Sequence, residues 1–206
     1  MRPALNFSHN PIPGHFMETI GRYSYEQYLK MVEDFHGSQA PGLILGGVMV
    51  DYAISRMPPG VLFDALCETA ACLPDAIQLL TPCTTGNGWL KVVDLGLFAL
   101  SLYDKYTGQG VRIFVDPEKL KGWTEIFNWL YKLKPKKEQD KALLLAQMEQ
   151  AGRAILSERK VMIKDQYLGK TSKGAIANCP QCGEPYPKRD GALCLSCQGG
   201  SPYGKE

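Results

Sequence analysis

The chain has 206 residues, a formal charge of only +2 and 45% hydrophobic residues, enough for a core built without disulfides. The near-neutral balance argues against a body held to nucleic acid by phosphate contacts. No apolar run approaches the ~18 residues needed to span a bilayer, and MRPALNFSHNPIPGHF lacks the continuous apolar stretch of a secretory signal. A cytoplasmic location is therefore expected, where seven cysteines serve metal ligation or redox chemistry rather than disulfides.

Residues 1–22, with Pro3, Pro11, Pro13 and Gly14, read as an arm without a period of its own; His9 and His15 lie in it. Ser24 and Gln27 form a capping box that opens a helix with Tyr25, Tyr28, Leu29, Val32 and Phe35 on its apolar face. His36 continues that face and Gly37 ends the helix. Pro41 opens a second helix that runs to Pro58-Pro59-Gly60; Gly46 and Gly47 inside it imply close approach by another backbone. A strand is expected over Val61–Glu68, a short helix over Pro74–Leu80 and a polar loop over Thr81–Gly88. Strands follow at Trp89–Asp94, Phe98–Tyr106 and Val111–Asp116, the last two joined through Thr107–Gly110. Asp116-Pro117 looks like a cap and first helical position, leading to Trp123, Phe127, Trp129 and Leu130, which read as core or dimer contacts. Lys132–Lys141 reads as a solvated linker, and a long helix is expected from Glu138 to Arg159.

Helices first and mixed short strands afterwards, without βαβ alternation, indicate an α+β fold with a mainly antiparallel sheet. Residues 1–165 form the core with its arm and long helix, and 166–206 a small zinc finger.

The tail reads Cys179-Pro-Gln-Cys182-Gly, eleven residues, then Cys194-Leu-Ser-Cys197. Two residues between cysteines let one tight turn aim both sulfurs at one point, and two such turns supply the S₄ set that zinc accepts. A segment this short cannot bury a core of its own, so a structural Zn²⁺ is expected to hold it, with the return made by a hairpin over Tyr186–Leu193. Iron in a rubredoxin-like site is the competing reading, and the eleven-residue spacer is much too short for it. Lys188 and Arg189 stand near the finger without a basic and aromatic stripe, so nucleic acid is not an expected partner.

Three features of the body resist a purely structural reading: His36 before Gly-Ser-Gln-Ala-Pro-Gly42, Cys72 before Leu-Pro-Asp-Ala-Ile-Gln78, and Cys83 within the polar loop. HGSQAPGLILG (36–46), CLPDAIQLLTPCTTGNGWL (72–90), the Asp94-Leu-Gly segment and GQGVRI (108–113) resemble the FmdE-like family of formylmethanofuran dehydrogenase proteins over roughly residues 18–135. The cysteine-rich tail is similar to the treble-clef zinc finger that many members append. The resemblance implies an α+β core, often a homodimer, whose histidine and cysteines line a pocket able to bind a second metal ion. His36, Cys72 and Cys83 match those positions, and Asp75, Gln78, Thr84, Asn87 and Arg112 match polar ones. Ser38 and Ala40 stand where members often carry a second histidine and a cysteine, leaving three ligands with an open water position.

The resemblance implies a metal-binding accessory protein for molybdenum or tungsten formylmethanofuran dehydrogenase, or a related formate or one-carbon system, with the dehydrogenase subunits as partners. The alternatives are a stand-alone metal-dependent enzyme at His36, Cys72 and Cys83, with Cys83 or Asp75 as the catalytic group, and a thiol redox module in which Cys72 and Cys83 react with each other. Against these stand plainer readings: a histidine hydrogen-bonded in the core, cysteines that simply pack (Cys67 above all), and Asp75 as a helix cap.

Overall fold

Ser24 and Gln27 close the expected capping box, each side chain bonded to the other's backbone N–H (3.2 and 2.9 Å), and so fix the start of α1, Tyr25–His36. Gly37 ends it in the left-handed region (φ 78°), with its N–H on the Glu33 carbonyl. The computed structural model describes residues 17–170 and 172–204. His9, His15 and most of the expected arm lie outside the described residues; its last part forms a small hairpin, β1 Thr19–Ile20 with β2 Tyr23–Ser24, where the sequence suggests irregular chain. The expected apolar face of α1 holds at Tyr25, Tyr28 and Val32, whereas Phe35 and His36 are exposed at its end.

Helix α2, Pro41–Arg56, is buried nearly all round, as a run with so few polar residues requires. Its glycines are contact points. A Cβ on Gly42 would meet the Cys72 sulfur at 2.8 Å, and one on Gly46 would meet Ala76 Cβ at 2.7 Å. Cys72 and Ala76 belong to the start of α3, Leu73–Leu80, so the two helices lie parallel in close contact with their N-termini at the same end. Gly47 faces the Tyr28 ring instead of a backbone.

The first unit, Met1–Gly169, contains a five-stranded sheet of order β4-β3-β5-β6-β7: β3 Phe63–Cys67, β4 Leu90–Val92, β5 Ala99–Asp104, β6 Gln109–Val115 and β7 Leu156–Met162. All neighbours are antiparallel except β3 and β4, giving the α+β fold expected. Ala65, Cys67, Leu100, Leu102, Val111 and Ile113 alternate onto one face, join the same buried core as α2 and are closed from water. The other face carries Asp64, Glu68, Ser101, Tyr103 and Arg112, with Arg112 gripping both Glu68 oxygens at 2.6 and 2.7 Å.

Two elements depart from the sequence reading. Asp116-Pro117 makes a turn, Asp116 accepting from Ser157 Oγ (2.6 Å) and the Glu118 amide (3.0 Å), and the helix, α4, spans only Thr124–Leu130. The long helix is also cut short: Asp140 caps α5, Lys141–Ala151, which stops at Gly152 (φ 47°). Ile155 and Leu156 are buried, and the chain then runs as β7 with every residue from Leu156 to Met162 paired to β6. The pairing partner, remote in sequence, overrides the helical pattern of LSERKVM.

The second unit, Lys170–Glu206, holds a two-stranded hairpin, β8 Ile176–Asn178 and β9 Pro185–Pro187, and a short helical turn at Ser196–Gly200. The hairpin encloses the first cysteine pair and not residues 186–193 as expected from sequence. Tyr103 Oη donates to the Tyr167 carbonyl (3.1 Å), so residues 166–169 go with the first unit.

Candidate functional site

The β8–β9 hairpin turns through Cys179 and Cys182. The Cys179 N–H meets the Glu184 carbonyl and the Gly183 N–H meets the Cys179 carbonyl, both at 2.8 Å. Gly183 takes φ 79°, a conformation glycine adopts without penalty. Tyr186 is buried, and its hydroxyl donates toward the Gly191 and Ala192 carbonyls (2.9 and 3.0 Å), tying the return loop to the strand just before Cys194. Gln198 does the same from the far side, bonding the Asp190 carbonyl at 2.7 Å and the Leu193 carbonyl at 2.5 Å.

The result is a convergence of four sulfurs, from Cys179, Cys182, Cys194 and Cys197, all within 4.8 Å of one another. A tetrahedral site with Zn–S bonds of about 2.3 Å requires sulfurs about 3.8 Å apart. Cys182 Sγ and Cys194 Sγ are 3.8 Å apart. Backbone amides point inward as well, Cys194 N–H toward Cys179 Sγ (3.5 Å) and Cys197 N–H toward Cys194 Sγ (3.4 Å). Amides of Cys194, Cys182 and Gln181 hold the Cys179 thiol down at about 6, whereas the neighbouring Cys194 sulfur and burial push Cys197 up to about 12. Four sulfurs so close cannot all be thiolates unless a cation sits among them. Zn²⁺ fits this donor set, which is all-sulfur and leaves no open position for water.

In the core, α3 separates the candidate ligands. Cys72 is its N-cap and Cys83 lies beyond its C-cap, Thr81, so the eight residues of helix, about 12 Å long, stand between them. Cys83 is fully buried, its thiol aimed at the Phe63 carbonyl (3.5 Å) and its N–H on Thr81 Oγ1 (3.1 Å). Burial pushes its thiol up to about 11, and Cys67, bonded to the Thr69 carbonyl at 3.2 Å, is pushed to about 11 for the same reason. His36 is exposed at the end of α1. Among the described residues the four tail cysteines are the one group of three or more such side chains within reach of a single ion, so His36, Cys72 and Cys83 are not assembled into a metal site within the chain. A dithiol reaction between Cys72 and Cys83 is excluded by the same separation.

The other polar positions are used in the architecture. Asn87 Oδ1 accepts from the Thr84 and Trp89 amides (3.1 and 2.9 Å), its Nδ2 donates to the Pro82 carbonyl (2.7 Å), and Gln78 Oε1 accepts from the Thr85 amide (3.3 Å). The loop is thus a self-bonded turn, and Arg112 is engaged by Glu68. Asp75 stands in the first turn of α3, where its charge suits the helix dipole, and raises the half-buried Cys72 thiol, whose burial acts more strongly in the same direction.

Cys72 is also strained. It sits at φ 54°, and the other described non-glycine residue with positive φ is Lys132, at 53°. Lys132 lines a cavity of about 330 Å³ together with His36, Pro41, Trp129, Lys136 and Lys141. Sequence reasoning missed this pocket, because its lysines come from the stretch that reads as a linker. A wider groove of about 780 Å³ runs between Arg56–Val61 and β7, crossed by the Arg56–Glu158 pair (2.5 Å), and no cysteine or histidine lines it.

Similarity to known proteins follows these two units. Residues 35–164 match the family described as FmdE, molybdenum formylmethanofuran dehydrogenase operon, and residues 170–204 match the FmdE treble clef zinc finger. A solved structure of an FmdE-like protein of tungsten formylmethanofuran dehydrogenase, from Syntrophus aciditrophicus, is 55% identical and superposes with a TM-score of 0.85, covering 91% of this chain and 99% of that one. A probable S-adenosyl-L-methionine-binding protein of Archaeoglobus fulgidus is 29% identical over 209 residues, which cover 90% of this chain and only 56% of that protein. The chain thus spans little more than half the length of that relative. With most of the core matched and the finger matched separately, this chain belongs to the FmdE family and carries its treble-clef zinc finger.

Proposed function

We propose that the chain is an accessory protein of a molybdenum or tungsten formylmethanofuran dehydrogenase system, or a related one-carbon dehydrogenase, and that Cys179, Cys182, Cys194 and Cys197 hold one structural Zn²⁺ that folds its C-terminal unit. The observation that carries the reading is the convergence of four sulfurs within 4.8 Å, in a unit whose buried core is little more than Tyr186 and the cysteines, beside a core of the FmdE family. A unit so poor in apolar contacts depends on metal binding for its fold. The family's description supports the association with the dehydrogenase operon. The function follows from the site and not from the fold alone, and no ligand set for a redox metal or pterin stands in the described core. No described helix is long and apolar enough to cross a membrane. A homodimer and a cytoplasmic location complete the proposal.

The name of the Archaeoglobus relative suggests S-adenosylmethionine as a ligand. The cavity beside His36 carries three lysines and no carboxylate, which opposes a sulfonium cation, so that ligand is not part of the proposal.

The test is elemental analysis of the purified chain, joined to affinity capture from cells that express the dehydrogenase. One zinc per chain, lost in Cys194→Ser, and co-capture of dehydrogenase subunits are expected. Iron in place of zinc, or capture that never retains any dehydrogenase component under cross-linking, overturns the proposal. Light scattering on the same sample reads the dimer.

A further inference from the structure

The segment between α4 and α5 is a built loop. Lys134 Nζ pairs with Glu125 Oε1 at 2.8 Å, Gln139 Nε2 donates to the Lys134 carbonyl at 3.0 Å, and Lys136–Glu138 form a tight helical turn. These ties bring the ammonium-bearing side chains of Lys132, Lys136 and Lys141 around the 330 Å³ cavity, together with His36. No acidic residue lines that cavity, and among the described residues none of the three lysines is in an ion pair. In a chain with a net charge of +2, three uncompensated ammonium groups around one small hollow are a local concentration of charge that an anion would relieve.

Backbone electrostatics reinforce the side chains. Pro41, at the first position of the 16-residue α2, lines the same cavity, and no side chain caps that helix. The contacts of Gly42 with Cys72 and Gly46 with Ala76 set α3 parallel to α2, so the positive ends of two dipoles point the same way. Trp129 and Leu144 provide an apolar wall opposite the lysines, and the Trp129 ring and the Cys72 sulfur meet over Gly42. Lys132 holds a left-handed conformation that costs a lysine about 1–2 kcal/mol and would cost glycine far less, and such strain gathers at functional sites.

We propose that this cavity is a binding site for a small organic anion, a carboxylate or phosphate carried on an apolar or aromatic group. Lys132, Lys136 and Lys141 neutralise the anion and Trp129 packs against its apolar part. A volume of about 330 Å³ lies at the small end of ligand pockets, which favours a single small molecule over an extended acidic peptide. His36 is the one side chain lining it that commonly binds metals, so the site is not a cation site.

The experiment uses the full zinc-loaded chain, titrated by calorimetry and by tryptophan emission. Phenyl phosphate and benzoate are the probes, inorganic phosphate and phenol the controls. One equivalent of phenyl phosphate or benzoate is expected to bind saturably, with phenol and inorganic phosphate each about tenfold weaker or more. The Lys136→Glu/Lys141→Glu variant changes two exposed side chains, so its zinc content and melting temperature should match the parent while affinity falls at least about tenfold. The proposal is overturned by absence of saturable binding, by unchanged affinity in the double variant, or by inorganic phosphate binding as tightly as phenyl phosphate. Binding of an oligoglutamate peptide that phenyl phosphate cannot displace overturns it in favour of a protein partner.

Discussion

Gly47→Ala tests the packing that sets α2 against α1. An alanine normally stabilises a helix interior by about 1 kcal/mol relative to glycine. Here its Cβ would lie 2.5 Å from Tyr28 Cε1 and Oη, so the ring must move. Tyr28 is fully buried and its hydroxyl donates to the Leu43 carbonyl at 2.8 Å, so movement costs packing and a buried hydrogen bond together. Overpacking costs about 1–3 kcal/mol and a buried polar group left unsatisfied a further ~1–3 kcal/mol. Set against the helical gain, the net destabilisation is about 2–3 kcal/mol, a fall of about 5–10 °C in Tm at this chain length. Thermal unfolding followed by circular dichroism measures it. Tyr28→Leu in the same background should relieve the clash, with a coupling energy of about 1 kcal/mol or more in the double-mutant cycle. A Tm that rises in Gly47→Ala, as helix propensity alone requires, refutes the reasoning, and so does strict additivity with Tyr28→Leu.

The remaining predictions concern charge, thiols and strain. Glu68→Ala leaves the Arg112 guanidinium unpaired on the sheet, and since the two side chains are 9% and 19% exposed the loss should be about 3 kcal/mol in urea unfolding; Glu68→Leu with Arg112→Met should recover most of it, and equal damage in both refutes the account. Cys67 and Cys83, raised to about 11 by burial, are almost wholly protonated at pH 8, so the native zinc-loaded chain should give one fast thiol with a chromogenic disulfide, from Cys72, as mass spectrometry of labelled peptides will show; rapid labelling of Cys83 counts against its buried placement. Lys132→Gly removes left-handed strain and should raise stability by about 0.5–1 kcal/mol while weakening phenyl phosphate binding; a lower Tm shows that the lysine side chain, and not its backbone, governs that turn.

What the sequence made legible divides by the range of the interactions. Ser24 with Gln27 and the Cys-x-x-Cys pairs are local devices, complete within a few residues, and each stands where the pattern indicates. Gly46 was readable as a close contact because a glycine in a buried helix has few other reasons to persist, and it does meet Ala76 and Leu73. LSERKVM was not readable as a strand, since its only instruction to extend is the edge of β6, more than forty residues earlier in the chain. The same holds for His36, Cys72 and Cys83: the motifs place each correctly at a helix end or in a loop, but whether they meet depends on the eight residues of α3 that the motif itself spans.

The lysines of the α4–α5 connection show the opposite failure, a functional arrangement concealed by an ordinary composition. KLKPKKEQDK looks like solvent-facing chain because almost nothing within it is apolar. Its shape comes from Glu125, a buried acid on α4 that pairs with Lys134, and from Gln147 on α5, whose Oε1 accepts from the Glu125 amide at 2.9 Å. Those two tie the connection to both helices and so decide which lysines turn toward Trp129 and His36. The charge that reads as solubility in one dimension is thereby collected in three at the N-terminal end of α2. Lys134 is the internal control: it lies in the same run but is engaged by Glu125, so Lys134→Gln should lower the melting temperature through that pair, whereas Lys136→Gln should leave it unchanged and act only on anion affinity.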